Sequence, residues 1–230
     1  MAHFSFRYMV ENLPKILQAL PVTLMIVFVA MIFGVLLGTL LAIVRIERVP
    51  VLQNIAVVLI SFVRGTPIFI QMFVLYYGLP MLLLLVGINI MRAEKMVFVF
   101  IAYGVNTAAF FAEIFRSAIL SVPSDQWDAA LSIGHSRAQA YLRIITPQSA
   151  VIAIPSVGVM MTGLLQDTSL TIAMGVIDVV GKARALGKHN MHLLEAYIDT
   201  AIIFIILSIF IERTFAFLER KTRTQRAPIK

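Results

Sequence analysis

The segment DQWDAALSIGHSRAQAYLRIITP, Asp125 to Pro147, stands apart from the chain that carries it. The 230 residues are 60% hydrophobic and 13% charged, and their mean hydropathy is +0.93. Yet this stretch sets two acids, two arginines, a histidine and a glycine among small and polar residues. Such a composition cannot rest in hydrocarbon and must face water or protein.

The rest of the chain holds more apolar surface than a soluble domain of this length can hide, so it reads as a membrane protein. Cysteine is absent, which excludes disulfides, a thiolate nucleophile and cysteine metal clusters. The formal net charge is +7, from 19 Lys+Arg against 12 Asp+Glu. Topology and anionic lipid account for that excess, and no nucleic-acid partner is implied. The first apolar run is too long for a signal-peptide core and starts behind Arg7, Glu11 and Lys15, so no cleavable leader is expected.

A spanning helix needs ~20 mostly apolar residues. The predicted spans are Ile16–Val44, with Pro21 near its start, then Met96–Leu120, Gln148–Val176 and Ala196–Leu218. A further apolar run from Val51 is too long for one straight span and is interrupted by Arg64-Gly65-Thr66-Pro67. It is expected to be an interfacial or kinked start followed by a span from about Thr66. Five spans put the termini on opposite sides. With the N-terminus outside, eleven Lys/Arg lie in the cytoplasm, among them Arg45, Arg48, Arg116, Arg137, Arg143 and those of the tail from Arg213. Seven lie outside, three of them in Lys182–Lys188, and Arg64 is undecided. The excess favours this orientation and a cytoplasmic Asp125–Pro147 segment, with residues 1–230 as one transmembrane domain.

Within the segment, Pro123 ends the preceding span, and Ser124 or Asp125 is expected to cap a short helix. Asp128 adds negative charge near that helix's positive end. Ala129 and Ala130 are small enough for a second surface to approach closely, and Gly134 suits a left-handed stop. A second helical piece, HSRAQAYLRII, is expected to close at Pro147. The result is a helix–turn–helix elbow at about 123–147, or else an ordinary amphipathic loop on lipid headgroups.

This elbow resembles the EAA motif of permease subunits of ABC importers: Glu-Ala-Ala, three residues, Gly, nine residues, then Ile-x-Leu-Pro. Here Asp128-Ala129-Ala130 is followed after three residues by Gly134, and after nine more by Ile144-Ile145-Thr146-Pro147. Asp stands for Glu and Thr146 for Leu. AEIFRSAILSVPSDQWDAA, RGTPIFIQMFVLYYGLP and LLQDTSL are similar to stretches of the polar amino-acid branch, although Asp125 replaces a usual glycine and Gln166 a usual lysine. The resemblance implies an all-α membrane fold of about five transmembrane helices, like a type I ABC importer permease. It implies a bacterial cytoplasmic membrane, and a second permease, identical or related. It also implies ATPase subunits that bind ATP and Mg, an external solute-binding protein, and a polar L-amino acid or cystine as cargo. Asp128, Ala129, Ala130, Gly134 and Pro147 would then couple the chain to its ATPase, and this chain itself would bind no cofactor.

An ionisable group within a span is costly, roughly 2.5–3.5 kcal/mol on insertion scales, and so usually has a task. Asp167, in a span expected to break there, either receives a substrate ammonium or helps close the pathway, or it caps a helix at the outer boundary. Gln166 leaves the pair with a formal charge of −1, so Asp167 would serve an amino group directly; Thr168 and Ser169 can cap or bind ligand. Gly65 and Pro67 are expected to bend the chain while Arg64 snorkels or satisfies carbonyls, and Gln71 is a candidate to face a pathway. Glu113 and Arg116 read as an i,i+3 ion pair at the elbow's root. Asn106 and Thr107 suit interhelical hydrogen bonds or the lining of a pathway, with packing the better fit, and Gly34-xxx-Gly38 is a close-packing signal.

No P-loop is present: five residues separate Gly175 from Gly181-Lys182, and Ala183 follows the lysine. Gly134-His135-Ser136-Arg137 is not a serine-protease motif, and His189 with His192 is weak ground for a metal, so neither enzyme chemistry nor a metal site is expected. An autonomous secondary carrier and a membrane-embedded hydrolase are the rival readings. The elbow sets the importer apart from both, and the lack of an inverted repeat argues against the carrier.

Overall fold

Apolar length and the placing of charge decide the elements. The computed structural model describes residues 4–224, the last two by backbone alone, and these residues form helices and turns without strands. The end of the basic tail, residues 225–230, lies outside the described residues. In chain order the helices are α1 (Phe6–Leu17), α2 (Leu20–Ile46), α3 (Leu52–Gly65), α4 (Ile68–Leu84) and α5 (Lys95–Leu120). They continue with α6 (Ser124–Ser132), α7 (Arg137–Met174), α8 (Val179–His189) and α9 (Leu193–Thr224). Helices α2, α5, α7 and α9 are each long and apolar enough to cross a membrane, and α3 with α4 makes a fifth candidate, bent by 112°.

The first span starts later than the sequence suggests. Ile16 belongs to α1, an amphipathic helix whose Arg7, Glu11 and Lys15 cannot enter hydrocarbon. A turn at Gln18–Ala19 separates α1 from α2, and Pro21 sits in the first turn of α2, where its missing N–H costs nothing. Helix α1 buries Ile16 against Val179, Ala183 and Ala196 of α8 and α9. The Ser5 amide donates to Glu195 Oε1 at 2.8 Å, and the Tyr8 ring stacks on His192 at 3.8 Å. His192 also bonds Glu195 through Nδ1, so it is spent on fastening α1 and does not pair with His189. Asp178 caps α8 by accepting from the Gly181 amide at 2.8 Å. Burial pushes its carboxyl above the usual range, against the pull of the amides.

The largest packed interface runs along α2 and α5. A Cβ at Gly34 would lie 2.5 Å from Thr107 Cγ2, and one at Gly38 would lie 2.7 Å from Phe111 Cβ and 3.1 Å from the Ala108 carbonyl. The Gly-xxx-Gly pair therefore serves contact within the chain, because small residues let two backbones approach where no hydrophobic effect pushes helices together. Thr107 lies in this seam, while Asn106 donates to Gln71 at 3.2 Å. On α9, Phe215 packs in the same way over Gly158 of α7.

The break between α3 and α4 is made by two extended residues, Thr66 (φ −123°) and Pro67 (φ −63°). Gly65 contributes no special conformation: it ends α3 without a positive φ, and open space surrounds its Cβ position. Gln71, expected to face a pathway, is instead buried beside the break. Its amide nitrogen lies 2.7–2.9 Å from the carbonyls of Val63 and Thr66 and from the Thr66 hydroxyl. Carbonyls freed in a low-dielectric layer need such donors, so Gln71 does what was expected of Arg64.

Overpacking the seam destabilises the helix pair by about 1–3 kcal/mol, worth several degrees for a chain of this size. Gly38→Leu should lower the apparent Tm of the detergent-purified protein, followed by size-exclusion after heating, whereas Gly65→Ala should leave it within a degree or two. Equal melting of the two variants would show that the α2–α5 contact does not set stability.

Candidate functional site

The elbow is built much as its sequence dictates, with three differences. Helix α6 begins at Ser124 with Pro123 as its extended N-cap residue, so neither Ser124 nor Asp125 caps it; Asp125 lies in the first turn. Gly134 takes φ +85°. His135 N–H bonds the Ala130 carbonyl and Gly134 N–H the Leu131 carbonyl, the paired bonds of a Schellman stop. The second difference is at Ala130, which is buried against its own chain and leaves Ala129 alone of the two facing outward, beside exposed Asp128. Ile133, an apolar residue 73% exposed, stands next to them, with Leu131 and Leu142 also exposed.

The third difference decides the mechanics. Pro147 does not close the second helical piece. Ser136 opens α7 with a reciprocal capping box to Gln139, and the helix then runs from Arg137 to Met174. A π-helical turn over Tyr141–Ile145 loosens the ladder ahead of Pro147, which sits in the first turn of the α-helical stretch Thr146–Asp167. The missing proline N–H is absorbed by that wider turn, so the elbow and span four are one element.

Side chains absent from the motif brace the joint. Trp127 of α6 packs edge-on against Tyr141 at 4.6 Å, and the Tyr141 hydroxyl donates to Glu47 Oε1 at 2.6 Å. Glu47 is the C-cap residue of α2, and its second oxygen lies 3.0 Å from Arg137. A cavity of about 590 Å³ remains between the elbow and the end of α2.

At the elbow's root, the Glu113–Arg116 pair is present, with contacts of 3.1 and 3.2 Å to Glu113 Oε2. It belongs to a larger cluster: Arg45 of α2 bonds Glu113 Oε1, and Arg64 approaches the same oxygen at 3.8 Å. Arg64 satisfies no carbonyl; its guanidinium lies over the Phe110 ring, 5.4 Å from the centroid, and its side chain is 44% exposed.

At the far end of α7, the span does not break at Asp167. The helix tightens into a 3-10 stretch, Thr168–Met174, and stops at Gly175 with φ +74°. Asp167 caps nothing through its side chain, which is exposed together with Gln166; its backbone carbonyl accepts from Tyr103 Oη at 2.5 Å. Thr168 is buried and donates to the Leu165 carbonyl, and Ser169 is half-buried. Ser156, Val159, Gln166 and Asp167 are exposed along this helix, so one partly polar strip joins the root of the elbow to Asp167. Among the described residues no group of three or more His, Asp or Glu could hold a metal ion.

The profile of the family described as "Binding-protein-dependent transport system inner membrane component" matches residues 34–224. The L-cystine transport system permease protein TcyL of Bacillus subtilis (strain 168) is 37% identical over 226 residues, 98% of this chain and 95% of that protein. The probable amino-acid ABC transporter permease protein PatM of Vibrio harveyi is 33% identical over 95% of this chain and 96% of its own length. A solved amino acid ABC transporter structure with histidines superposes with a TM-score of 0.83 at 27% identity, covering 96% of this chain and all of that one. An inward-facing MetNI methionine ABC transporter shares the fold at a TM-score of 0.68 and 18% identity, covering 95% of this chain and 99% of that one. With an elbow that keeps the motif's spacing, a multi-pass helical fold and these matches, the chain belongs to the binding-protein-dependent transport system inner membrane components, the permease subunits of ABC importers.

Proposed function

We propose that this permease carries a polar L-amino acid or cystine across a bacterial cytoplasmic membrane, its N-terminus outside and its elbow and C-terminus in the cytoplasm. It works with a second permease, identical or related. ATPase subunits hold ATP and Mg, and an external protein delivers the solute. The observation that carries this reading is the continuity of the elbow with α7, which ends its α-helical part at Asp167. Closure of the ATPases around nucleotide pushes on Asp128, Ala129 and the exposed Ile133. The Schellman stop and the Trp127–Tyr141–Glu47 brace keep that push from being absorbed locally. The displacement therefore passes into α7 and, through Glu47, into α2, a two-state element of the kind that coupling requires.

At the opposite end, Asp167 offers a carboxylate to the cargo's ammonium, with Gln166 beside it as a neutral donor and acceptor. A neutral amide at 167 should lower uptake about tenfold, the worth of one charge-assisted hydrogen bond. Transport by Asp167→Asn at matched expression checks this; unchanged affinity and rate would remove Asp167 from the pathway.

The joint is tested by purifying the tagged chain in mild detergent and identifying what comes with it. Wild type should bring an ATPase. Gly134→Val forces a β-branched residue into a left-handed backbone, at a cost of about 1–2 kcal/mol. It should lose that partner or hydrolyse ATP without uptake. Glu47→Gln should keep the partner but weaken coupling severalfold. A wild-type chain that purifies alone from detergent and from nanodiscs would mean that the elbow has no ATPase to meet.

A further inference from the structure

The cluster around Glu113 is out of balance: three guanidinium groups share one carboxylate, a formal surplus of +2. Arg45 is largely buried by its bond to Glu113. Arg64 and Arg116 keep 44% and 33% of their side chains exposed. Both line a cavity of about 390 Å³ whose walls also carry the polar residues Ser117 and Ser156. An ionisable group at membrane depth normally faces a partner or a water-filled path, and one carboxylate cannot satisfy the donors of three arginines.

This cavity is the end of a series along α7. It shares Ile114 and Ser156 with a second hollow of about 340 Å³. That hollow shares Pro155 and Val159 with a third, of about 470 Å³, which reaches Gln166 beside Asp167. The third hollow carries the carboxylates Glu212 and Glu219 and reaches Gln166, the first carries Arg64 and Arg116, and the hollow between them is apolar at Val159 and Met160. Ser156 and Asp167 are separated by about 16 Å of helix. A single amino acid cannot touch both ends, because its ammonium and carboxylate are joined through one carbon.

We infer that the cavity of Arg64 and Arg116 is a carboxylate station, where the cargo's α-carboxylate rests on its way out after leaving Asp167. Guanidinium suits this task, since its planar fork pairs with both oxygens of a carboxylate. Glu113 fixes the forks and lowers the net charge, so the carboxylate is held but not trapped. The assignment deepens the importer reading and rests on it. A phosphate of an anionic lipid would meet the same donors. The continuous strip toward Asp167 favours the solute.

The test uses the permease reconstituted with its ATPase and binding protein in phosphatidylcholine vesicles, with and without phosphatidylglycerol. ATP-driven uptake of radiolabelled L-cystine and L-glutamine is measured for wild type, Arg64→Gln, Arg116→Gln and Arg64→Lys. Each glutamine variant should slow maximal uptake about tenfold. The half-saturating concentration should stay within about twofold, and ATP hydrolysis stimulated by loaded binding protein should persist. Arg64→Lys, which keeps the charge but not the fork, should recover only part of the rate. Assembled glutamine variants that transport at the wild-type rate would overturn the station while leaving the importer reading intact. A wild type that slows to the variants' rate when phosphatidylglycerol is omitted would assign the cavity to lipid instead. A wild type that takes up neither solute, with ATP hydrolysis unresponsive to binding protein, would overturn the amino-acid importer reading itself, and the station with it. Should Arg64→Gln fail to assemble, Ser156→Asp decides, because it sets a competing carboxylate in the cavity without removing any member of the ion cluster. Slow uptake then supports the station and wild-type uptake overturns it.

Discussion

Lipid offers the backbone no hydrogen bonds, and the architecture follows from where the chain is allowed to be irregular. Among the described residues there are four such places in or beside the spans: the extended pair Thr66–Pro67, the π turns at Val74–Gly78 and Tyr141–Ile145, and the 3-10 stretch after Asp167. Three of them are braced by a polar side chain. Gln71 supplies donors to the extended pair, Tyr141 turns its hydroxyl to Glu47 at the second π turn, and Tyr103 donates to the Asp167 carbonyl at the 3-10 stretch. A helix that loosens or tightens without stopping keeps its mechanical continuity. The 38 residues of α7 therefore run about 55 Å from the elbow to the opposite end without a loop to absorb motion.

That continuity explains why the joint is braced by residues outside the motif. The turn at Gly134 only sets the angle between α6 and α7. Holding that angle takes side chains that reach from both helices to a third element. Trp127 gives α6 a flat apolar contact, Tyr141 gives α7 a long lever with a polar tip, and Glu47 anchors both to the end of α2. The Arg137–Glu47 contact adds little, since Arg137 is 71% exposed and water screens it. The aromatic pair and the half-buried hydroxyl–carboxylate bond carry the joint.

Much of this was legible in the sequence, and what escaped has a common cause. Spans, the break after Arg64, the left-handed Gly134 and the Glu113–Arg116 pair are set by short-range patterns: apolar length, turn chemistry and helical spacing. Residues 16–19 misled because Ile16 and Leu17 continue the apolar run, while the charges that make α1 a separate amphipathic helix lie upstream of it. Pro147 misled because a proline ends a regular helix but not one that has just widened into a π turn, and no local signal announces that turn. Gln71, Glu47 and Arg45 act on partners 5 to 94 residues away. The RGTP-x-x-x-Q spacing alone hinted that Gln71 answers to the break one turn earlier.

The charge pattern bears on how the proposed importer would move its cargo. A solute of zero net charge gains nothing from the membrane potential, which is worth about 2.3 kcal/mol per elementary charge per 100 mV. Accumulating it therefore requires coupling to a second process, which in an ABC importer is ATP hydrolysis. The strip on α7 is suited to that coupling. On the roles proposed for them, Asp167 and the two half-exposed arginines each address one half of a zwitterion; Val159 and Met160 between them offer neither half a partner, and Glu212 and Glu219 line the adjoining hollow. Transit between the ends is then unfavourable in a static protein and needs the wall itself to move. That wall belongs to the same helix as the second half of the elbow, so in the proposed mechanism the element that moves for transit is the one on which the ATPase acts.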